Sequence, residues 1–570
     1  MKIFFVNPSC LDPRITSDDA KEIPIGIYYM AALLLDRGFD ARILNLAALE
    51  GETLNTFNAV IEKEKPDLIG FSVTNPNRIN AVACAKEAKK RLPHACILFG
   101  GPAPTFMAAH LFSVCPEVDI MVQGEGESTL LSIVQALAQI PKKGKTAKEA
   151  SIRKIKGIAL WENGKLVETG PCDPIADLDS LPHPSRYFVY QHLSMSRGCP
   201  GKCTFCGSPK FWGSHHIRCH SALWFAEEIK TLAQRGVTHF FISDDTFTMD
   251  RERVIELCRL LIAADLRITW NAISRVDYID KELLFWMRQA GCIQISFGVE
   301  SGSRKIKQAL GKPISNEACI QAFALTSAYG IMARAYFIYG SPGETDETIN
   351  ESCDLLIQLA PLGTIFYLLV IYPGTHLYRQ ALQKKWITDE IWHREIEDLP
   401  WFELDETLDF PRVKAFGDRL RNTFFDHLPQ FVNQIDLVED ERLYPFHADF
   451  LSRLAMTFAQ GEYAQDPRIK TPEKIAEALF TKALSYSPDP RAFMGIAMVL
   501  QRQKQFSKAA VHLTKGLDHF PGNRELSVCM GVCHMNQNQF KEALPFFVPF
   551  GDDPGIAHYI TICNSQEKTP

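Results

Sequence analysis

Residues 195–209 read MSRGCPGKCTFCGSP and place three cysteines, Cys199, Cys203 and Cys206, in a C-x3-C-x2-C spacing. Glycines and prolines bend a chain into a loop, and this stretch contains Gly198, Pro200, Gly201, Gly207 and Pro209. Such a loop can present three thiolates to one centre. Because a cubane iron–sulfur cluster is normally held by cysteine thiolates, three ligands would leave one iron free to bind a substrate.

Zinc is the alternative occupant of this loop. A structural zinc site requires four protein ligands, and a fourth is available nearby from His215, His216, Cys219 or His220. A third alternative is an inert trio of cysteines. The motifs farther along the chain favour the iron–sulfur cluster over both.

With the apolar Phe205 before its last cysteine, the loop resembles the cluster loop of the radical S-adenosylmethionine (SAM) superfamily. The resemblance implies that Cys199, Cys203 and Cys206 hold a [4Fe-4S] cluster whose open iron chelates the amino and carboxylate groups of SAM. An electron from the cluster would split SAM into methionine and a 5'-deoxyadenosyl radical. A flavodoxin or ferredoxin would supply that electron, and Phe205 would pack near the adenine.

The composition is typical of a soluble globular protein, with 46% hydrophobic and 22% charged residues. A chain of 570 residues predicts roughly three or four domains. No apolar run reaches the ~18 residues of a membrane span, and Met1 leads into a strand rather than a signal peptide, which predicts a cytoplasmic protein. The net charge of −6 gives no reason to expect nucleic acid or an anionic membrane as the main partner.

Apolar runs alternate with helical patterns over residues 1–142. They predict strands at 2–6, 41–46, 68–73, 96–99 and 120–122, and helices at 25–38, 53–64, 79–91, 106–112 and 128–139. This alternation predicts an open, doubly wound parallel sheet, whose ligand lies beyond the carboxyl ends of the strands.

Small and hydroxyl-bearing residues follow three of these strands: Ser72 and Thr74, Gly100 and Gly101, and Gly124 with Glu125. In this order, and ahead of the cysteine loop, they resemble the cobalamin-binding domain of many radical SAM enzymes. The resemblance implies that these residues line a slot for cobalamin. Residues 7–13 contain no histidine, so it also implies that histidine does not ligate the cobalt. A sheet that has lost cofactor binding is the alternative.

A lysine-rich connector at 142–154 follows the sheet domain. Next come a tight hairpin, predicted from Asn163 and Gly164, and a linker at 171–184. We therefore predict a sheet domain over residues 1–142 and a hairpin with linker over 143–194.

Strands and helices alternate again over residues 195–384, and roughly six strand–helix units after the cysteine loop predict a partial (β/α)6 parallel barrel, with its chemistry at the carboxyl ends of the strands. Several strand ends resemble SAM-binding landmarks. Asp244 and Asp245 stand where the family often has Gly-Gly-Glu, which holds the SAM amino group. Glu300, Ser301 and residues 340–345 match later strands that contact SAM. Arg275 and Arg334 are candidates for the SAM carboxylate, because a guanidinium binds a carboxylate with two hydrogen bonds.

Beyond residue 384 the pattern is helical, with a predicted extension over 385–465 and repeats over 466–570. Phe506 and Ala509 recur 34 residues later as Phe540 and Ala543. This resembles tetratricopeptide repeats, in which helix pairs stack to bury their apolar faces. Such arrays usually bind a protein or peptide, although an inert cap on the barrel is equally compatible with the sequence.

Together these resemblances imply a cobalamin-binding radical SAM enzyme that methylates an unactivated carbon through methylcobalamin and a 5'-deoxyadenosyl radical. One alternative is an oxidative cyclase similar to the anaerobic cyclase of magnesium-protoporphyrin monomethyl ester. A repeat-containing scaffold or redox sensor with an iron–sulfur cluster is the non-enzymatic alternative.

Overall fold

The computed structural model describes residues 1–10, 21–49, 51, 53–138, 151–213 and 215–566. Most of the connector predicted at 142–154 lies outside these ranges, and so do residues 11–13 of the histidine-free segment. Among the described helices, none is both long and apolar enough to cross a membrane.

The first sheet has seven strands in the order β2-β1-β3-β4-β5-β6-β7. The strands are β1 Lys2–Asn7, β2 Asp40–Asn45, β3 Leu68–Ser72, β4 Cys96–Gly100, β5 Ile120–Val122, β6 Ile158–Glu162 and β7 Lys165–Glu168. β1 to β5 are parallel to one another. Five of the six residues of β1 are buried, because a parallel sheet with helices on both faces has little exposed surface.

Helices cover both faces of this sheet. α1 (Ile25–Asp36) and α5 (Glu127–Ala138) pack on one face. The other face is covered by α2 (Thr53–Glu64), α3 (Arg78–Arg91) and α4 (Pro102–Val114). The predicted doubly wound sheet is thereby confirmed.

The hairpin predicted around Asn163 and Gly164 forms β6 and β7. Both residues have positive φ angles, 49° and 75°, as a type I′ turn requires. β6 pairs antiparallel with β5. The hairpin therefore extends the edge of the first sheet.

The second sheet is a parallel, open barrel with the strand order β15-β14-β13-β12-β11-β8. Its strands are β8 His192–Leu193, β11 His239–Ile242, β12 Thr269–Ser274, β13 Cys292–Glu300, β14 Met332–Tyr339 and β15 Gly363–Leu368. The predicted partial barrel is confirmed, but its first strand, β8, precedes the cysteine loop, so five barrel strands rather than the predicted six follow the loop in the described chain. Between β8 and β11, the antiparallel strands β9 (Ser196–Arg197) and β10 (Arg218–Cys219) close the base of that loop.

Eight helices accompany this region of the described chain: α6 Ser208–Phe211, α7 Ala222–Gln234, α8 Arg251–Ala263, α9 Lys281–Gln289, α10 Arg304–Ala309, α11 Asn316–Ala328, α12 Asp346–Leu359 and α13 His376–Gln383. The side chains of β14 show how they pack. Ala333, Ala335 and Phe337 belong to the core shared with the surrounding helices. Because side chains alternate along a strand, Arg334 and Tyr336 face the barrel interior.

The rest of the described chain is helical: α14 Phe410–Asn433, α15 Tyr444–Ala459, α16 Glu462–Gln465, α17 Pro472–Tyr486, α18 Pro490–Arg502, α19 Phe506–His519, α20 Arg524–Met535, α21 Phe540–Phe547 and α22 Pro554–Gln566. The repeated alanines Ala509 and Ala543 are fully buried. Consecutive helices approach closely where a glycine faces an aromatic ring, as Gly495 faces Phe480. The tetratricopeptide resemblance of this helical region stays a prediction.

Asp449 of α15 joins the barrel to these helices. Its carboxylate accepts hydrogen bonds from Arg288 of α9 at 2.7 Å, Arg453 at 2.8 Å and Arg491 of α18 at 3.1 Å. Arg288 is 1% exposed. Although burial opposes the charged carboxylate, these arginines hold the pKa of Asp449 well below its usual range.

We expect Asp449→Ala to lower the free energy of unfolding by about 3–5 kcal/mol, because it leaves the guanidinium of Arg288 buried without its charge partner. Urea unfolding followed by circular dichroism measures this loss. Asp418→Ala is the matched control, since Asp418 of α14 pairs with the surface side chains of Lys414 and Arg421, and it should change stability little. Equal losses in the two variants would contradict the prediction.

Candidate cofactor site

We call the segment that carries the three cysteines the cysteine loop; it leaves β9 after Arg197 and returns to β10 at Arg218. Cys199, Cys203 and Cys206 are half-buried within it. Backbone N–H groups point at two of the sulfurs: Gly201 N lies 3.4 Å from Cys199 Sγ, and Ser208 N lies 3.5 Å from Cys206 Sγ. A Cβ atom on Gly201 would lie 3.2 Å from Cys199 Sγ and 3.8 Å from Cys203 Sγ. The glycine therefore leaves space between sulfurs, as an iron–sulfur cluster requires.

The surroundings of the thiols disfavour free thiolates and so favour a bound cation. Burial raises the pKa of Cys206 to about 11 and also raises the pKa of Cys203. Lys312 and Arg275 act in the opposite direction on Cys203. Metal binding deprotonates such thiols, so the donor set fits a cationic iron centre.

Zinc would require a fourth ligand close to the three cysteines. Within the described ranges, no three His, Cys, Asp or Glu side chains gather closely enough to hold a single metal ion. His220, one proposed fourth ligand, stacks on Trp224 with ring centroids 3.8 Å apart. Its nitrogens lie within hydrogen-bond distance of Tyr29 and Asp179. These partners hold His220 in a packing role.

The two adjacent aspartates after β11 differ in their surroundings. Asp244 is buried and accepts a 2.9 Å hydrogen bond from Met195 N and another from Ser196 Oγ. Burial raises its pKa to about 7. Asp245 is exposed and accepts a hydrogen bond from Ser208 Oγ in the cysteine loop. Asp244 thus holds the strand before the loop, and Asp245 is the carboxylate accessible to a ligand.

Arg275 lies beside the cysteine loop, with Nη1 3.8 Å from the position of a Cβ on Gly201. Its Nη2 donates to Asp277 at 2.6 Å, while its buried Nε has no hydrogen-bond partner in the described chain. An orphaned donor next to the cluster loop fits a carboxylate-bearing ligand such as SAM.

Glu300 is the last residue of β13, Ser301 follows it, and both are buried. Glu300 has a φ of 65°, a strained conformation for a residue other than glycine, and pairs with Lys312 at 2.7 Å. Ser301 Oγ lies 3.0 Å from Ser352 Oγ and accepts from Ser303 N. Both predicted SAM contacts are therefore engaged within the protein. Sequence patterns gave no indication of Lys312 as the partner of Glu300.

Arg334 lies farther inside the barrel. Its closest pairing neighbours are Ser296 on β13 and Gly363 on β15. It is half-buried and is the third of the eight residues of β14, and its Nε and the hydroxyl of Tyr463 both lie within 4 Å of the position of a Cβ on Gly363. This position suits an anionic group that enters the barrel interior.

A cavity of about 270 Å³ lies at the carboxyl ends of the first sheet. Five predicted cobalamin contacts line it: Ser72, Gly100, Gly101, Gly124 and Glu125. We call this cavity the sheet slot. The small residues leave it open between α1, the sheet and the cysteine loop, which fits a cofactor held partly by the sheet.

A second cavity, of about 420 Å³, lies between the two domains. Thr74, the remaining predicted cobalamin contact, lines it together with Phe205, and so do Phe211 and Trp212 of the cysteine loop. We call it the shared cavity. Asn75 also lines this cavity, and its buried Nδ2 has no hydrogen-bond partner in the described chain. The residues predicted for the two cofactors thus meet around one space.

The sequence did not reveal the partners of Glu125. Its carboxylate lines the sheet slot, yet it binds Arg197 and Arg218 and accepts a 2.8 Å hydrogen bond from Ile175 N. Glu125 therefore contacts the cysteine loop rather than offering a free carboxylate. The only indication of these ion pairs in the sequence was the pair of glutamates in Gly124-Glu125-Gly126-Glu127.

Two family models match the chain. The radical SAM superfamily matches residues 193–356, which include the cysteine loop and most of the barrel. The B12 binding domain matches residues 14–134, which include most of the residues that line the sheet slot. These matches coincide with the two sites seen in the structure.

Relatives share this architecture. An uncharacterized methyltransferase of Pyrococcus horikoshii is 30% identical over 383 residues, 65% of this chain and 81% of the relative. The anaerobic magnesium-protoporphyrin IX monomethyl ester cyclase of Cereibacter sphaeroides is 29% identical over 55% of this chain and 53% of its own length. The solved cobalamin-dependent S-adenosylmethionine radical enzyme OxsB, with aqua-cobalamin and S-adenosylmethionine bound, shares the fold over 94% of this chain and 84% of its own (TM-score 0.57, 16% identity). The chain belongs to the radical SAM superfamily and carries a B12 binding domain ahead of its radical SAM domain.

Proposed function

We propose that the protein is a cobalamin-dependent radical SAM enzyme that methylates an unactivated carbon. The observation that carries this proposal is the shared cavity, lined both by the corrin-side residues Thr74 and Asn75 and by Phe205 of the cluster loop. When bound, SAM on the cluster supplies the radical that removes a hydrogen atom, and cobalamin supplies the methyl group. A substrate between them would be accessible to both.

The protein's own residues would bind and orient these groups. Cys199, Cys203 and Cys206 would hold the cluster. Asp245, which is exposed beside the loop, would accept hydrogen bonds from the SAM amino group, and the free Nε of Arg275 would bind its carboxylate. The ring of Phe205 would exclude water on the adenine side.

The remaining predicted contact residues would shape the two cofactor sites. Asp244 would hold the start of the cluster loop, and Glu300 with Ser301 would shape the end of β13 near SAM. Arg334 would bind an anionic group deeper in the barrel. In the sheet slot, Ser72 and the glycines would accommodate cobalamin, while Thr74 and Asn75 would face it from the shared cavity.

We expect Arg275→Met to raise the Kd for SAM by roughly 10- to 100-fold, because a charge-assisted hydrogen bond to the carboxylate contributes about 1.5–3 kcal/mol. Equilibrium dialysis of the reconstituted enzyme with labelled SAM measures this change. Arg259→Met is the control, since Arg259 of α8 lies over the ring of Trp286 away from the loop. An unchanged Kd in Arg275→Met would remove this residue from the SAM site.

The decisive experiment uses protein reconstituted anaerobically with iron, sulfide and cobalamin. It is supplied with a reductant, methyl-deuterated SAM and panels of candidate substrates. Methyl transfer predicts 5'-deoxyadenosine, S-adenosylhomocysteine and a product heavier by one labelled methyl group. A product without the label would instead favour the cyclase alternative, which the relative from Cereibacter sphaeroides keeps open. Absence of 5'-deoxyadenosine with every substrate would contradict both.

The reaction also requires an electron from outside the chain. We propose a flavodoxin or ferredoxin as its donor, and a protein or peptide as the partner of the helices from residue 466 onward. The helical region supports the second proposal through an open groove that Met494, Met498 and Val528 line. Pull-down of purified flavodoxin and ferredoxin with the full chain tests the first proposal, and selection of binders to the full chain from a peptide library tests the second.

A further inference from the structure

Ion pairs among four charged side chains join the two ends of the cysteine loop (also called the cluster loop) to the B12 binding domain. Arg197 and Arg218 are directly opposite each other in β9 and β10, where the loop leaves the barrel and returns to it. Arg197 binds Glu125 at 2.5 Å and Glu127 at 2.7 Å. Arg218 binds Glu125 at 3.0 Å. We call these four residues the loop clamp.

Three of the four clamp residues are buried, Arg218 is partly exposed, and the charges balance. Arg197, Glu125 and Glu127 are 7%, 6% and 4% exposed. The linker completes the hydrogen bonding, because Glu125 accepts from Ile175 N and Arg218 donates to Ile175 O at 2.6 Å. Buried ion pairs contribute little net stability relative to apolar packing, and their best-attested use is to fix one arrangement of the chain. We therefore expect the clamp to fix the position of the loop rather than to add much stability to the fold.

The clamp also forms a wall of the sheet slot. Glu125, Glu127 and Arg197 all line that cavity. The Arg197 guanidinium lies 5.2 Å from the ring centroid of Tyr29 and 5.6 Å from that of Trp212, and both rings line the slot as well. Arg197 is also two residues before Cys199. A ligand in the slot therefore contacts the same groups that hold the first cluster cysteine.

We propose that the loop clamp is a positioning device that couples occupancy of the sheet slot to the order of the cluster loop. The inference rests on the proposed function, since it takes cobalamin as the ligand of the slot. Cobalamin in the slot holds Glu125, Glu127 and Arg197 in place, and these hold the loop around the cluster. Coupling between two sites is reciprocal, so an assembled cluster also tightens cobalamin binding.

Release of cluster iron to a chelator tests this coupling without relying on activity. Full-length protein is reconstituted anaerobically and mixed with bathophenanthroline, with and without hydroxocobalamin. Cobalamin retention is read from the absorbance spectrum of each sample after gel filtration. In the wild type, we expect cobalamin to slow iron release about tenfold, within the 5- to 150-fold span of typical couplings.

Three variants separate positioning from folding. Arg197→Met removes both ion pairs, Arg197→Lys keeps the charge but loses the two-pronged contact, and Glu127→Gln neutralises one side with little change in shape. Arg288→Met is the matched control, because Arg288 is also buried and ion-paired but is not among the residues that line the slot. We expect the cobalamin effect on iron release to fall below about twofold in Arg197→Met, to be intermediate in Arg197→Lys and Glu127→Gln, and to stay near tenfold in Arg288→Met.

The outcomes are distinguishable. If the wild type retains cobalamin but releases iron at the same rate with and without it, the proposed coupling is wrong. The same holds if Arg197→Met and Glu127→Gln both keep the full cobalamin effect. If the wild type does not retain cobalamin at all, the cofactor assignment of the proposed function fails instead, and the coupling fails with it.

Discussion

Cys203→Ala is expected to abolish formation of 5'-deoxyadenosine and to reduce bound iron to the background of unreconstituted protein. The proposed cluster is held by three cysteines, so the loss of one leaves two thiolates for a cluster that requires three. Most of the sheet slot is formed by the first domain, and we expect the affinity for cobalamin to change by about tenfold at most, the loss of coupling to the cluster. Iron analysis, the visible spectrum and chromatography of SAM products measure the three quantities in one sample.

Cys219→Ala is the matched control for this result. Cys219 lies in β10, where the loop returns to the barrel, and is one of the candidates for a fourth zinc ligand. A cluster held by three cysteines predicts that Cys219→Ala retains its iron and cleaves SAM. Loss of bound metal in Cys219→Ala, with zinc rather than iron in the wild type, would overturn the cluster assignment.

Much of the fold was predictable because its signals are local. The buried strands of the first sheet are short apolar runs bounded by loops, and the helix at 53–64 and the strand at 120–122 have the predicted bounds. The hairpin was readable from Asn163 and Gly164, since few other pairs adopt two positive φ angles. Its place at the edge of the first sheet was not, because pairing between distant strands leaves no local pattern.

The three cluster ligands could be predicted from the sequence, but the residues that pair with the other predicted contacts could not. The three cysteines are close in sequence, so their spacing alone brings them together. Glu125 was expected to contact cobalamin, and it does line the slot, but Arg197 and Arg218 occupy its carboxylate from 72 and 93 residues away. Asp244 and Asp245 were equivalent in the sequence, and only burial separates their roles. Such differences depend on tertiary contacts that no single segment encodes.

Gly101→Val is expected to weaken cobalamin binding by roughly 10- to 100-fold, the equivalent of about 1–3 kcal/mol of overpacking. Gly101 lines the sheet slot and has a φ of 107°. A Cβ there would lie 2.9 Å from the carbonyl oxygen of Val73, in the segment between Ser72 and Thr74. The added side chain must displace that segment, so the wall of the slot changes shape even where the domain stays folded.

Gly38→Val controls for the backbone strain that the same substitution causes. Gly38 has a similar positive φ of 80°, and no atom lies within 4 Å of the Cβ position. Both variants should lose stability in thermal unfolding, because a positive φ is strained for any β-branched residue, and Gly101→Val should lose more because its Cβ also meets the carbonyl oxygen of Val73. Only Gly101→Val should lose cobalamin affinity, measured by absorbance titration of the folded protein. If Gly101→Val binds cobalamin as tightly as Gly38→Val does, the slot at the carboxyl ends of the first sheet is not the cobalamin site.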